Sequence, residues 1–280
     1  MPQEHPKISV ITPSFNQGNT LEQTMLSVLH QSYPELEYIL IDGGSTDKSL
    51  EIIQKYEKQL TYWVSEKDRG IYDAMNKGIE RASGEWIYFL GTDDLLCSNV
   101  FMDIFAEPPE ADLIYGNVIF KHSGQIYDGF FDKEKLAHHN ICHQAIFFKR
   151  KLFDRLGLFE LKYQILADYV FNIKCFGKPE IKVVYLNKNI AIYNEIGLSG
   201  SKLDLNFIKN QQNLLKDHLG IFLDKKTIYD RVGRLGIKEL HQKNYKKGLQ
   251  LVWMALPYAP IFYIKTLLYF FKKYCLTYRA

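Results

Sequence analysis

The sequence predicts an α/β protein: a mostly parallel sheet flanked by helices, followed by a helical C-terminal extension. Three observations carry this. Apolar runs of strand length alternate with segments of helical period through the first hundred residues. Polar residues gather at the C-terminal ends of those runs. Beyond about residue 200 helical spacing takes over.

The elements follow in order. "KISVIT" (7–12) is a β-branched run that reads as the first strand, and "PSFNQGN" as its loop. Leu21, Met25, Val28 and Leu29 recur at helical spacing, with Asn19 or Thr20 placed to cap the helix. "LEYILID" (36–42) is a second strand; "GGST" then turns the chain into a helix with Leu50, Ile53 and Tyr56 on one face. "LTYWVS" (60–65) is a third strand, 71–82 a helix and "EWIYFLG" (85–91) a fourth strand. Further on, 113–120, 125–130, 145–149 and 181–186 read as strands and 167–176 as a helix. A boundary near 200 divides a domain over 1–200 from a helical region over 201–280.

Composition narrows the function. With 280 residues, 46% hydrophobic and 24% charged, the chain can bury a sizeable core and is not globally disordered. The net charge is +3, yet Lys246, Lys247, Lys265, Lys272, Lys273 and Arg279 occur after Tyr245 with no acid among them. The main body therefore carries no basic excess, which argues against nucleic acid as a partner. Cys97, Cys142, Cys175 and Cys275 are widely spaced and are expected to be reduced thiols. No basic, then apolar, leader opens the chain, so no signal peptide and a cytoplasmic location are expected.

In open parallel sheets, ligands bind at the carboxyl ends of the strands. Thr12, Asp42, Glu66, Asp68, Asp93 and Asp94 follow four separate strands, so four segments aim polar groups at one edge. Adjacent carboxylates repel when desolvated, and a hard divalent cation such as Mg²⁺ or Mn²⁺ relieves that repulsion. The alternative is a solvated turn whose acids lie near the start of the next helix.

Two stretches, "VITPSFNQGNTLEQTMLSVLHQSYPELEYILIDGGSTDKS" and "SEKDRGIYDAMNKGIERASGEWIYFLGTDD", resemble family 2 glycosyltransferases of the GT-A, Rossmann-like fold. The resemblance is dense over 7–100 and looser to about 195. It implies an inverting, metal-dependent transfer from a nucleotide sugar, UDP-linked by expectation, to a hydroxyl. The acceptor would be a glycan or lipid-linked oligosaccharide in surface polysaccharide or lipopolysaccharide biosynthesis.

The resemblance also implies roles. Phe15 and the backbone near Thr12 would meet the nucleobase, and Asp42 the base or ribose; Gly43 stands where the family often has a second acid. Asp93 would face the ribose and Asp94 the Mn²⁺ or Mg²⁺, while Asp68 and Arg69 border the sugar and diphosphate. Asn76, in a helix it does not favour, would have a polar partner and is assigned to nucleotide-sugar binding. Asp168, opening a predicted helix, would be the general base on the acceptor side. His143 and Gln144 would line the acceptor or diphosphate side, although His139 and His143 also have zinc-compatible spacing. Each residue has a plainer alternative: Phe15 a core aromatic, Asp42 a turn cap, Asp168 a helix-terminus acid.

Competing classes fit less well. A nucleotidyltransferase needs a basic glycine-rich loop after the first strand, and a dehydrogenase needs GxGxxG; "TPSFNQGN" provides neither. The charge-free stretch 249–264 is shorter than a membrane span, is interrupted by Pro257 and Pro260, and is followed by interleaved Lys and Tyr. It suits the surface of an anionic membrane on the cytoplasmic side, or else packing on the protein or within an oligomer. A non-catalytic membrane adaptor, with the sheet as scaffold, is the alternative to the enzyme.

Overall fold

The computed structural model describes residues 5–194 and 204–275. The boundary expected near 200 falls outside them. By internal contacts the chain forms two compact units, Met1–Phe207 with Asp217–Gly220, and Ile208–Lys216 with Ile221–Ala280.

Among the described residues, one nine-stranded sheet forms the first unit. Its strands are β1 (Ile8–Ser14), β2 (Leu36–Asp42), β3 (Tyr62–Ser65), β4 (Trp86–Phe89), β5 (Leu95–Leu96), β6 (Leu113–Phe120), β7 (Ile126–Tyr127), β8 (Ile146–Lys149) and β9 (Val183–Tyr193). The order is β3-β2-β1-β4-β8-β6-β9-β5, with β7 on β6. β1, β2, β3 and β4 are mutually parallel, whereas β8 runs antiparallel to both β4 and β6. The chain moves outward from β1 to β3 and then returns to the other side of β1, which opens a crevice at the carboxyl ends of β1 and β4.

The helices of this unit are α1 (Leu21–Leu29), α2 (Ser49–Tyr56), α3 (Ile71–Arg81), α4 (Val100–Phe105), α5 (Lys133–His138), α6 (Lys151–Leu156) and α7 (Ala167–Gly177). The two-residue period of the strands sorts the aromatic rings onto two layers. Trp86 and Tyr88 on β4 pack with Phe147, Phe101 and Phe105. Phe89, one residue along, packs instead with Phe148, Phe153 and Phe159. Phe153 and Phe171 stack with centroids 4.5 Å apart, joining α6 to α7.

α3 packs tightly on β1 at Gly78. A Cβ at Gly78 would lie 2.4 Å from Ile11 Cγ2, a buried atom with nowhere to retreat. Gly78→Val should therefore lower stability by about 2–3 kcal/mol in urea unfolding, the usual scale for overpacking a tight core.

The second unit contains helices Lys225–His241, Tyr245–Ala255 and Pro260–Cys275. Asp224 caps the first of these by accepting from the Thr227 amide at 2.8 Å. Leu240, Val252, Ala255 and Tyr263 form its core, and the Tyr263 ring occupies the space a side chain at Gly233 would take. A short 3₁₀ turn, Leu256–Tyr258, breaks the last two helices apart between Pro257 and Pro260. Trp253, Ile261, Phe262, Ile264 and Leu268 are exposed. Among the described residues no helix is long and apolar enough to cross a membrane.

Candidate active site

A cavity of about 790 Å³ lies at the carboxyl ends of β1 and β4. Its walls bring together Asp93 and Asp94 from the turn after β4, Arg69, Tyr72 and Asp73 around the start of α3, Asn140, His143 and Gln144 before β8, Asp168 on α7, and Tyr193 and Asn194 ending β9.

Asp94 is 1% exposed. Its carboxylate accepts from the Asn194 amide at 2.7 Å and from the Gln144 side-chain amide. Burial, reinforced by the neighbouring charge of Asp93, pushes its pKa up to about 7; the two hydrogen bonds only partly offset this. Asp93 accepts from Asn194 Nδ2 at 2.9 Å. Neither acid caps a helix: β5 intervenes, and α4 begins at Val100 after Asn99. That removes the helix-start explanation of the pair.

The donor set suits a hard cation. Two carboxylates, one destabilised as an anion, stand beside a buried Gln144 Oε1 that has no hydrogen-bond partner among the described residues. No group of three or more His, Cys, Asp or Glu side chains could hold an ion among the described residues, the His139–His143 pair included. An ion here would thus be completed by oxygens from a ligand, the usual habit of Mg²⁺.

Asp168 is buried in the first turn of α7. The Tyr72 hydroxyl lies 2.7 Å from its Oδ1, Asn140 Nδ2 donates to its Oδ2 at 3.0 Å, and His143 Nδ1 is 3.8 Å away. Burial, with the facing carboxylate, holds Tyr72 protonated by raising its pKa well above the ordinary phenol value. A carboxylate fixed at both oxygens, opening on the cavity, is equipped to take a proton from a bound hydroxyl.

Other expected site residues are distributed differently. Arg69 lines the cavity and pairs with Asp73 at 2.7 Å, which lowers the Asp73 pKa. Phe15 is 57% exposed just past β1, so it is not a core aromatic. Thr12 is buried within β1 at 3.2 Å from the Tyr38 hydroxyl. Asp42 is buried and accepts from the Gly44 and Ser45 amides and the Ser45 and Ser65 hydroxyls, so it holds its own turn. Asp68 accepts from the Gly70 amide, and its carboxylate fills the space a side chain at Gly43 would need. The structure does not bring Thr12, Phe15, Asp42, Asp68 or Asn76 to the cavity wall. Asn76 clamps the backbone of Phe159, donating to its carbonyl at 2.9 Å and accepting from its amide at 3.0 Å.

The loops after β1 and β2 are laced together beside the crevice. Asn16 N donates to Ser45 Oγ, Thr46 N to Asn16 Oδ1, Gln17 N to Ser49 Oγ and Gly18 N to Asp47 Oδ2. Asn194, Asn140 and Tyr72 are the site residues that sequence reasoning missed. Asn194 alone had a signal, a polar residue ending a strand.

Comparison with known proteins agrees with this architecture. Residues 9–157 match the model of glycosyl transferase family 2. A PGL/p-HBAD biosynthesis glycosyltransferase of Mycobacterium bovis (strain BCG / Pasteur 1173P2) is 38% identical over 213 residues, covering 73% of this chain and 83% of that protein. Among solved structures, S. aureus TarS has a TM-score of 0.64 at 17% identity, over 83% of this chain but only 43% of that one. Its 1–349 fragment in complex with UDP-GlcNAc has a TM-score of 0.63 at 17% identity, over 84% and 73%. The mannosyltransferase PcManGT from Pyrobaculum calidifontis, in complex with GDP-Man and Mn²⁺, has a TM-score of 0.52 at 16% identity, over 92% and 74%. The family match spans the strands and turns that build the crevice, the fold is that of GT-A glycosyltransferases, and the chain belongs to glycosyl transferase family 2.

Proposed function

We propose that the chain transfers a sugar, with inversion, from a UDP-sugar to a hydroxyl of a glycan or lipid-linked acceptor in surface polysaccharide biosynthesis. One observation carries the reading: Asp93–Asp94 and Asp168, from distant segments, converge on one cavity. Asp94, with Asp93 beside it, would hold Mn²⁺ or Mg²⁺. Bound there, the cation would supply Lewis-acid stabilisation of the departing diphosphate. Arg69 offers that end of the cavity a positive charge. Asp168 receives the acceptor proton, and Tyr72 and Asn140 keep its carboxylate aimed. Phe15, Thr12, Asp42 and Asp68 sit on the nucleotide side, where the laced loops present a pre-organised edge. His143 and Gln144 belong to the acceptor and diphosphate side.

The exposed apolar side chains of the C-terminal helices, on an acid-free segment, suit peripheral attachment to an anionic membrane on its cytoplasmic face. A bound ligand raises the apparent stability of the folded state, so thermal shift can be read across nucleotide sugars with Mn²⁺ or Mg²⁺. UDP-sugars should raise Tm by several degrees only when the cation is present. Equal shifts without cation would remove Asp94 from the reading, and no shift with any nucleotide would favour the membrane adaptor.

A further inference from the structure

The buried Asn172 performs a task that the transfer reaction alone does not explain. It lies one turn along α7 from Asp168 and is 0% exposed. Its Nδ2 donates to Asn140 Oδ1 at 2.9 Å, and Asn140 Nδ2 donates to Asp168 Oδ2 at 3.0 Å. The direction of these bonds follows from chemistry. An ionised carboxylate accepts only, so Asn140 must turn its NH₂ to Asp168 and its oxygen the other way. That oxygen then requires a donor, and Asn172 supplies it. Asn172 Oδ1 is buried without a hydrogen-bond partner among the described residues. This side chain therefore gives up satisfaction of its own oxygen while orienting its neighbour.

We propose that Asn172 and Asn140 form a polarity relay that holds a donor against Asp168 Oδ2 and so keeps that carboxylate aimed into the cavity. Both are positioning residues. The proposal rests on Asp168 being the general base only for its consequence in rate; the relay itself is a statement about the carboxylate. The titratable groups around Asp168 are Tyr72 from α3, His143 and Cys142 from the segment before β8, and Asp204, which accepts from the Ile165 and Leu166 amides and acts on the same Tyr72. None of them is altered by changes at 140 or 172.

Asn172→Leu is close in size, adds no charge and removes the donor, so nothing then holds the Asn140 amide with its NH₂ towards Asp168. Asn140→Ala, in a half-exposed loop, removes the donor without touching the core and serves if the buried substitution impairs folding. The direct test is carboxyl NMR on full-length protein labelled with ¹³C at aspartate Cγ, the Asp168 signal being assigned by its loss in Asp168→Asn. The Asp168 midpoint should rise by at least half a pH unit in Asn140→Ala and by a smaller amount, in the same direction, in Asn172→Leu. An unmoved midpoint in a folded Asn140→Ala protein would overturn the relay.

UDP release from UDP-GlcNAc with Mn²⁺, water acting as acceptor, separates the two ideas. If Asp168 is the base, the acidic limb of turnover moves by the same amount as the carboxyl midpoint. A midpoint that moves while the limb stays would keep the relay and remove Asp168 as base. A merely structural role at 172 would lower stability and leave both midpoint and limb in place.

Discussion

Asp168→Asn should lower turnover by about 10³-fold while leaving cation-dependent UDP binding within a factor of two of the parent protein. The size follows from the contribution of a positioned general base, typically 10²–10⁴-fold. The amide keeps the shape of the carboxylate but cannot take the acceptor's proton. Donor binding is spared because the residue stands on α7, a different element from the Asp93–Asp94 turn, and has no hydrogen bond to either acid. Steady-state rates with calorimetry of UDP and Mn²⁺ give both numbers. Turnover within tenfold of the parent would eliminate Asp168 as the base.

Asp94→Asn should separate stability from function. An acid whose pKa is raised on folding binds its proton more tightly in the folded state. Stability contributed by that proton is complete below the unfolded value of 3.8 and is lost as pH rises through about 7. Above that, the unliganded protein carries an ionised, buried carboxylate at a penalty on the order of 4 kcal/mol. Replacing it with an amide removes the penalty, and Gln144 can rotate to offer its unpartnered oxygen to the new NH₂. The unliganded variant should therefore be more stable at pH 8 by about 2–4 kcal/mol and show a flatter stability profile between pH 4 and 7. The same change should weaken Mn²⁺-dependent UDP binding by 10²-fold or more and abolish transfer. Chemical denaturation across pH, with and without Mn²⁺–UDP, checks both limbs. A variant that is less stable at pH 8 and still binds would place the cation elsewhere.

Much of this was legible in the sequence because the donor half uses strong local signals. β1 and β2 are β-branched runs, and β4 is an apolar run that ends in Gly91 and the paired acids. The acceptor half uses weak ones. The expected strand at 181–186 proved to run to Tyr193, because the polar triplet Asn187, Lys188 and Asn189 is exposed and the register against β6 shifts there. Ending the strand too early hid Asn194, which supports both acids. Helices α4, α5 and α6, each six residues long, are too short for a periodic pattern to declare itself. Asn76 was expected on the nucleotide sugar; its side chain bonds the Phe159 backbone, a partner that no local pattern encodes.

The seating of α3 against β1 at Gly78 decides which wall of the cavity can give. A helix seated with Gly78 against the buried Ile11 side chain has little slack in which to roll, so Tyr72 and Asp73 are carried by a stator. Adjustment to substrates of different girth then falls to residues 140–144 and 161–166 of the cavity lining, which lie outside the α-helices and strands. Directed evolution towards new acceptors should accumulate its changes there and leave α3 untouched.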